Sequence, residues 1–120
     1  MAPEVIVDFI FERGLLFITV ENIGDRPAHK VSVRFRQPLH GLGGQKDITS
    51  LAMFKNIEFL GPHKSIQTFL DTSQAYFERG EPAQVKAEVT YVDTEGRQYG
   101  GIIQHDLDIY RDIIYINRPT

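Results

Sequence analysis

The chain of 120 residues contains no cysteine. Without thiols there can be no disulfide, no thiolate nucleophile and no cysteine-based zinc or iron–sulfur site. The absence does not select a compartment, because cytosolic proteins and many exported modules do without disulfides. No run approaches the roughly 18 apolar residues that cross a bilayer. The opening Met1-Ala2-Pro3-Glu4 lacks the charged and then apolar stretches of a secretory signal. The expectation is a soluble domain, cytoplasmic or membrane-associated, that does not itself insert. Blocks of one charge are missing too: 13 basic and 16 acidic residues are spread along the length, for a formal net charge of −3. With no Lys/Arg cluster to neutralise a phosphate backbone, no nucleic-acid partner is expected.

The apolar fraction of 42% and charged fraction of 24% are those of a globular protein rather than a disordered one. The length fits one domain over residues 1–120, with a core over about 4–110 and an apolar tail over 111–120. A domain of this size hides roughly two thirds of the surface of its unfolded chain, enough for a core without staples.

The dominant period is two. Val5, Val7, Phe9 and Phe11 share a face opposite Asp8 and Glu12, with Ile6 and Ile10 making that second face partly apolar. Arg13-Gly14 turns the chain into Leu16, Ile18 and Val20, a hairpin. After the turn-forming Asn22-Ile23-Gly24-Asp25-Arg26-Pro27, Val31, Val33 and Phe35 alternate with Lys30, Ser32, Arg34 and Arg36. Ile48, Leu51, Phe54 and Ile57 recur every third residue, which fits one or two helical turns or a distorted edge strand. Ile66 to Leu70 reads as a short strand, and 71–81 as an irregular connection with a helical turn near Tyr76 and Phe77. Val85, Ala87, Val89 and Tyr91 alternate again before the tight turn Asp93-Thr94-Glu95-Gly96. Arg97 to Tyr110 reads as a long strand, bent or bulged at Gly100-Gly101. About seven strands with at most a short helical turn predict an all-β, immunoglobulin-like two-sheet antiparallel sandwich.

Two stretches carry a resemblance. Val20 to Ala28, with the Val31, Val33, Phe35 alternation, resembles the opening of prokaryotic immunoglobulin-like modules: strand, Asn-x-Gly, turn, Pro-Ala, strand. Cell-adhesion-related domains and arrestin-like sandwiches share that opening. Val89 to Tyr99 and Asp106 to Arg111, with Leu60-Gly61-Pro62 and Thr68 to Ser73, are similar to a widespread uncharacterised bacterial family of small immunoglobulin-like sandwiches. The likeness spans most of residues 4–118. Members of that family are often tethered by an N-terminal membrane helix, which is not found in these 120 residues, and the acidic Asn-rich ending of cell-adhesion-related domains is absent. The resemblance implies a fold and no catalytic residues.

Candidate chemistry is sparse. In His40-Gly41-Leu42-Gly43-Gly44-Gln45-Lys46, the backbone N–H groups of Gly43 and Gly44 could close on an anion, with His40 and Lys46 beside it. The Ser/Thr that follows Lys in a Walker A loop is missing, and Gly clusters more commonly mark flexible loops. The four histidines, His29, His40, His63 and His105, form no His-x-His or HExxH pair. A zinc site would need His40, His105 and a carboxylate gathered by the fold. His105 alternates with Ile103 and Leu107 and is expected to sit half-buried with its ring bonded to backbone. Asp106 and Asp108 share a strand face and could join a calcium site, but no Asp-x-Asp-x-Asp-Gly loop delivers them. A solvated acidic face answered by Arg97 or Arg111 is the plainer reading. Ser50, Ser65 and Ser73 lack a Gly-x-Ser-x-Gly elbow.

The tail Ile113, Ile114, Tyr115 and Ile116 sets four apolar side chains in a row near the chain end, where burial of each is favoured by about 1.5–3 kcal/mol. It either packs in cis or makes an interaction surface. The sequence therefore predicts a non-enzymatic protein-interaction or accessory module without cofactor or metal, whose partner is a protein, either another chain or a second copy joined as a homodimer through an edge strand or the tail. The alternative is a small-ligand or metal-binding domain using loop 40–46 or the Asp106/Asp108 face.

Overall fold

A computed structural model describes residues 2–113. Its strands are β1 (Val5–Glu12), β2 (Leu15–Asn22), β3 (Ala28–Phe35), the two-residue β4 (His40–Gly41) and β5 (Lys46–Asp47), β6 (Ile57–Leu60), β7 (Ser65–Thr72), β8 (Gln84–Val92) and β9 (Gln98–Asp106). Two sheets form the body, in the orders β1-β2-β7 and β6-β3-β8-β9, and β4 pairs with β5 beside them. Every pairing is antiparallel. The protein is an all-β sandwich, as the two-residue period predicts.

Alternation builds both layers. On β1 and β2, Val7 opposes Val20 and Phe9 opposes Ile18, and all four are buried. Val31 and Val33 of β3 and Val85, Ala87 and Val89 of β8 close the core from the second sheet. The removal of these side chains from water is the main favourable term in folding. Polar residues at the intervening positions of β3 and β8 stay on the outer face, as at Arg34 and Glu88, so each strand can be wetted on one side only.

The triplet spacing at Ile48, Leu51, Phe54 and Ile57 resolves into both forms expected of it. A 3-10 turn (Ile48–Ser50) and a single helical turn α1 (Ala52–Lys55) lead into the edge strand β6. Ile48, Phe54 and Ile57 are buried, with the ring of Phe54 edge-on to Phe35 at 5.0 Å. The helical turn near Tyr76 is α2 (Ser73–Glu78), whose amide at Ala75 is capped by the Thr72 hydroxyl at 3.1 Å.

The long final strand is corrected. β9 ends at Asp106, and Leu107–Tyr110 form a 3-10 turn in which Leu107 is fully buried. The Asp106 carboxylate accepts from the Asp108 amide at 3.0 Å, a local bond that competes with extension of the strand. Nor is there a bulge at Gly100-Gly101: β9 runs in unbroken register against β8, with Thr90 opposite Gly100 and Val89 opposite Gly101. The register shifts instead between Leu16 and Phe17 and between His29 and Ser32, the latter around Lys30 at φ 52°.

The chain passes from the first sheet to the second immediately after Asn22, which is fully buried. Its side-chain amide donates to the carbonyls of Arg26 (2.7 Å) and Leu60 (3.1 Å) and accepts from the amides of Gly24 (3.0 Å) and Glu4 (3.2 Å). Its backbone bonds Lys64 and His63 across the β6–β7 turn. One side chain thus ties the start of β1, the β2–β3 crossing and the end of β6. Replacing Asn22 with Ala leaves buried donors and acceptors unmatched, and should lower stability by about 3 kcal/mol. The urea midpoint should fall at unchanged m-value.

Candidate interaction surface

A sandwich of two open sheets has four edge strands, each a row of backbone donors and acceptors available to another chain. Among the described residues, three of them are partly capped or short. Along β1, His105 Nε2 donates to the Val7 carbonyl (2.8 Å), the Tyr110 hydroxyl to the Phe9 carbonyl (3.4 Å), and the Phe9 amide bonds the Asp8 carboxylate (2.9 Å). A carbonyl only accepts, so His105 carries its proton on Nε2. Its ring also stands edge-on to Phe9 at 5.1 Å, the half-buried, backbone-bonded setting its alternation predicts. Along β7, the 40–42 segment lies against Leu70, whose carbonyl accepts from the Leu42 amide at 3.1 Å. The third edge, β6, is four residues long.

The fourth edge is β9. It spans nine residues, and no backbone hydrogen bond to its outer side is formed among the described residues. Its residues, Gln98-Tyr99-Gly100-Gly101-Ile102-Ile103-Gln104-His105-Asp106, include no lysine, glutamate or proline, and a formal negative charge only at the last position. At its centre Ile102 is 65% exposed on the outer face. Beside it, Arg34, Phe35, Arg36, Lys86 and Glu88 border a shallow groove of about 260 Å³. Arg34 and Glu88 pair at 3.4 Å, both largely in solvent, where such a pair contributes little.

The β8–β9 turn holds this edge in place. Asp93 accepts from the amides of Glu95 and Arg97, both at 2.9 Å, and from the Tyr99 hydroxyl at 2.9 Å. Desolvation pulls the Asp93 carboxyl upward. The Arg97 amide, the Tyr99 hydroxyl, the Glu95 amide and the Arg97 charge together outweigh it and hold the group below the usual carboxylate range.

Loop 40–46 is organised by residues the sequence reading passed over. Arg79 reaches the Asp71 carboxylate (2.8 Å), the Glu81 carboxylate (3.3 Å) and the His40 carbonyl (3.0 Å). Asp71, only 5% exposed, also accepts from the Gly43 amide at 3.0 Å. Glu81 lies 3.8 Å from the His40 ring and accepts from its amide at 3.3 Å. Desolvation opposes the Arg79 charge, but the two carboxylates more than restore it. A Cβ on Gly41 would collide with the Leu70 carbonyl, so only glycine allows the loop this close to β7. The Gly43 amide proposed for an anion already serves Asp71, the packed neighbour of Gly44 is the Arg79 side chain, and Lys46 stands exposed outside the clamp.

The other candidates are dispersed. His40 and His105 serve different partners, and among the described residues no three His, Cys, Asp or Glu side chains converge for a metal. Asp106 and Asp108 do not share a strand face, since Asp108 belongs to the terminal 3-10 turn and pairs with Arg111 at 2.7 Å. Ile113 is 49% exposed and borders a groove of about 520 Å³ with Phe11, Leu15, Phe77 and Arg111. Ile114, Tyr115 and Ile116 lie outside the described residues. No sequence feature singled out Ile102 or the Asp71–Arg79–Glu81 clamp. The absence of lysine, glutamate and proline between residues 98 and 106 was readable, but that this strand is an edge was not.

Removing Arg79 leaves a buried carboxylate unpaired. Arg79→Ala should therefore cost about 3 kcal/mol and speed amide exchange at Leu42 and Gly43, whereas Lys46→Ala should change stability by less than about 0.5 kcal/mol. Asp93 carries a depressed folded pKa, so its contribution is present above the unfolded value of 3.8 and drains away as acid protonates the folded form. Asp93→Asn should lower Tm at neutral pH, and the gap from the parent chain should close in strong acid.

Among the described residues, no helix is long and apolar enough to cross a membrane. No curated protein and no solved structure matches the chain. Residues 1–111, from the start of the chain through the terminal 3-10 turn, match one family model, described as a domain of unknown function. The chain belongs to the DUF8453 family.

Proposed function

We propose that this domain is an immunoglobulin-like protein-contact module that works without catalysis and takes an extended segment of a partner along β9. The observation that carries the reading is the nine-residue outer edge of β9, which has none of the lysines, prolines and bulges that usually blunt such strands and a formal charge only at its end, Asp106. Main-chain bonds to an added strand supply affinity in this mode of recognition, and side chains on alternate positions supply selectivity. Ile102 is the apolar contact on the exposed face. The order β1-β2-β7 against β6-β3-β8-β9, with the chain crossing between sheets after β2, β6 and β7, supports the immunoglobulin-like description.

The ionisable groups that do converge support the same reading. Asp71, Arg79, Glu81 and His40 are committed to one another and to backbone atoms of the loop they hold. Structural ion-pair networks of this sort brace a scaffold.

Selection of a displayed random peptide library on the immobilised domain tests the proposal. Bound peptides should protect β9 amides from hydrogen exchange and should be lost on Ile102→Lys. That substitution falls on an exposed position and should alter folding stability by less than about 0.5 kcal/mol. Peptides that bind elsewhere, or are indifferent to Ile102→Lys, would refute the assignment.

A further inference from the structure

Resting on that reading of β9, we infer that the partner strand is the β9 of a second copy of this chain, antiparallel and centred on Ile102. In that register residue numbers across the junction sum to a constant, and all nine residues of the strand find an opposite. Gln98 faces Asp106, Tyr99 faces His105, Gly100 faces Gln104, Gly101 faces Ile103, and Ile102 faces its own copy. Shifts that keep outer residues opposite outer residues must move by whole pleats, and each leaves residues of both strands without a partner.

The pairing sets no clash of charge at any position. No like charges oppose one another, and the one acidic residue, Asp106, meets the amide of Gln98. The two Ile102 side chains, each 65% exposed in the single copy, cover one another on the outer face. Glycines stand opposite the larger Gln104 and Ile103, so no bulky pair is crowded. Lys86 of β8, Arg34 of β3 and Arg36 just after it lie at least one strand further in. Across the junction the Lys86 groups of two copies stand three strand spacings apart, roughly 14 Å or more. That exceeds the screening length of about 8 Å at physiological salt.

Two further features favour a second copy over an unrelated segment. Among the described residues, β1 is capped at two carbonyls, β7 is covered at Leu70 and β6 is four residues long, whereas β9, whose sequence can pair with itself, carries no backbone hydrogen bond on its outer side. The resulting interface is isologous, so a two-fold axis at Ile102 consumes both edges and growth stops at a dimer. Joined this way, the two four-stranded sheets become one continuous sheet of eight strands.

The test is a charge exchange at the axis, read by sedimentation velocity over a range of concentrations. The parent chain should form a dimer. Ile102→Lys and Ile102→Glu, each alone, place like charges face to face and should weaken association by about tenfold or more. An equimolar mixture of the two variants should recover the dimer as a heterodimer, because only this register sets residue 102 against residue 102. A dimer that survives in Ile102→Lys, through the 113–116 segment or any other surface, would overturn the inference, as would a mixture that stays monomeric. The peptide-library arm separates the two levels. A monomeric parent chain whose β9 still captures library peptides refutes the self-pairing alone, and one that captures none refutes the contact reading with it.

Discussion

The chain must leave one sheet and enter the other without stranding backbone groups in the gap between them, and Asn22 solves that problem. An amide side chain carries two donors and an acceptor with two lone pairs, and at this position all are matched. Its carbonyl oxygen holds the start of β1 and the turn at Gly24, and its nitrogen holds the carbonyls at Arg26 and Leu60. The alternating strands provide most of the favourable free energy, but they could stack in more than one relative placement. The buried amide selects one, because any shift would break several bonds at once in a region that water cannot reach.

Once the sheets are placed, their edges become the central issue. The protein spends side chains on them unevenly. His105 and Tyr110, both from the C-terminal third, reach across to cap carbonyls of β1, 98 and 101 residues away in sequence. The Arg79 clamp presses loop 40–46 against β7. Each device uses groups that a list of reactive residue types would have flagged as chemistry. The imidazole, the phenol, the guanidinium and the two carboxylates instead serve the backbone.

The glycine-rich loop shows why composition misleads at such sites. Glycines near a lysine are compatible with an anion cradle, and equally with a backbone that must pass very close to another strand. Gly41 meets the second requirement, since its Cα faces the Leu70 carbonyl without room for a side chain. The negative charge near the Gly43 amide comes from within the fold, as Asp71.

Much of this was legible in advance. The period of two at Val5, Val7 and Phe9, at Val31 and Val33, and at Val85, Ala87 and Val89 determines strands with one buried face. The turn residues at Arg13-Gly14, Asn22 to Pro27 and Asp93 to Gly96 determine where those strands stop, because both signals are local. The spacing of three at Ile48, Leu51, Phe54 and Ile57 likewise encoded its short turns. What the tertiary structure alone decided are facts about neighbours distant in sequence: that Asn22 is the joint between layers, that Asp71 and Arg79 meet over His40, that the strand ends at Asp106, and that β9 lies at an edge. Periodicity reports which side of a strand is dry. It carries no record of which strand stands beside it, since pairing is settled by long-range packing, and an edge exists only once every other strand has found its place.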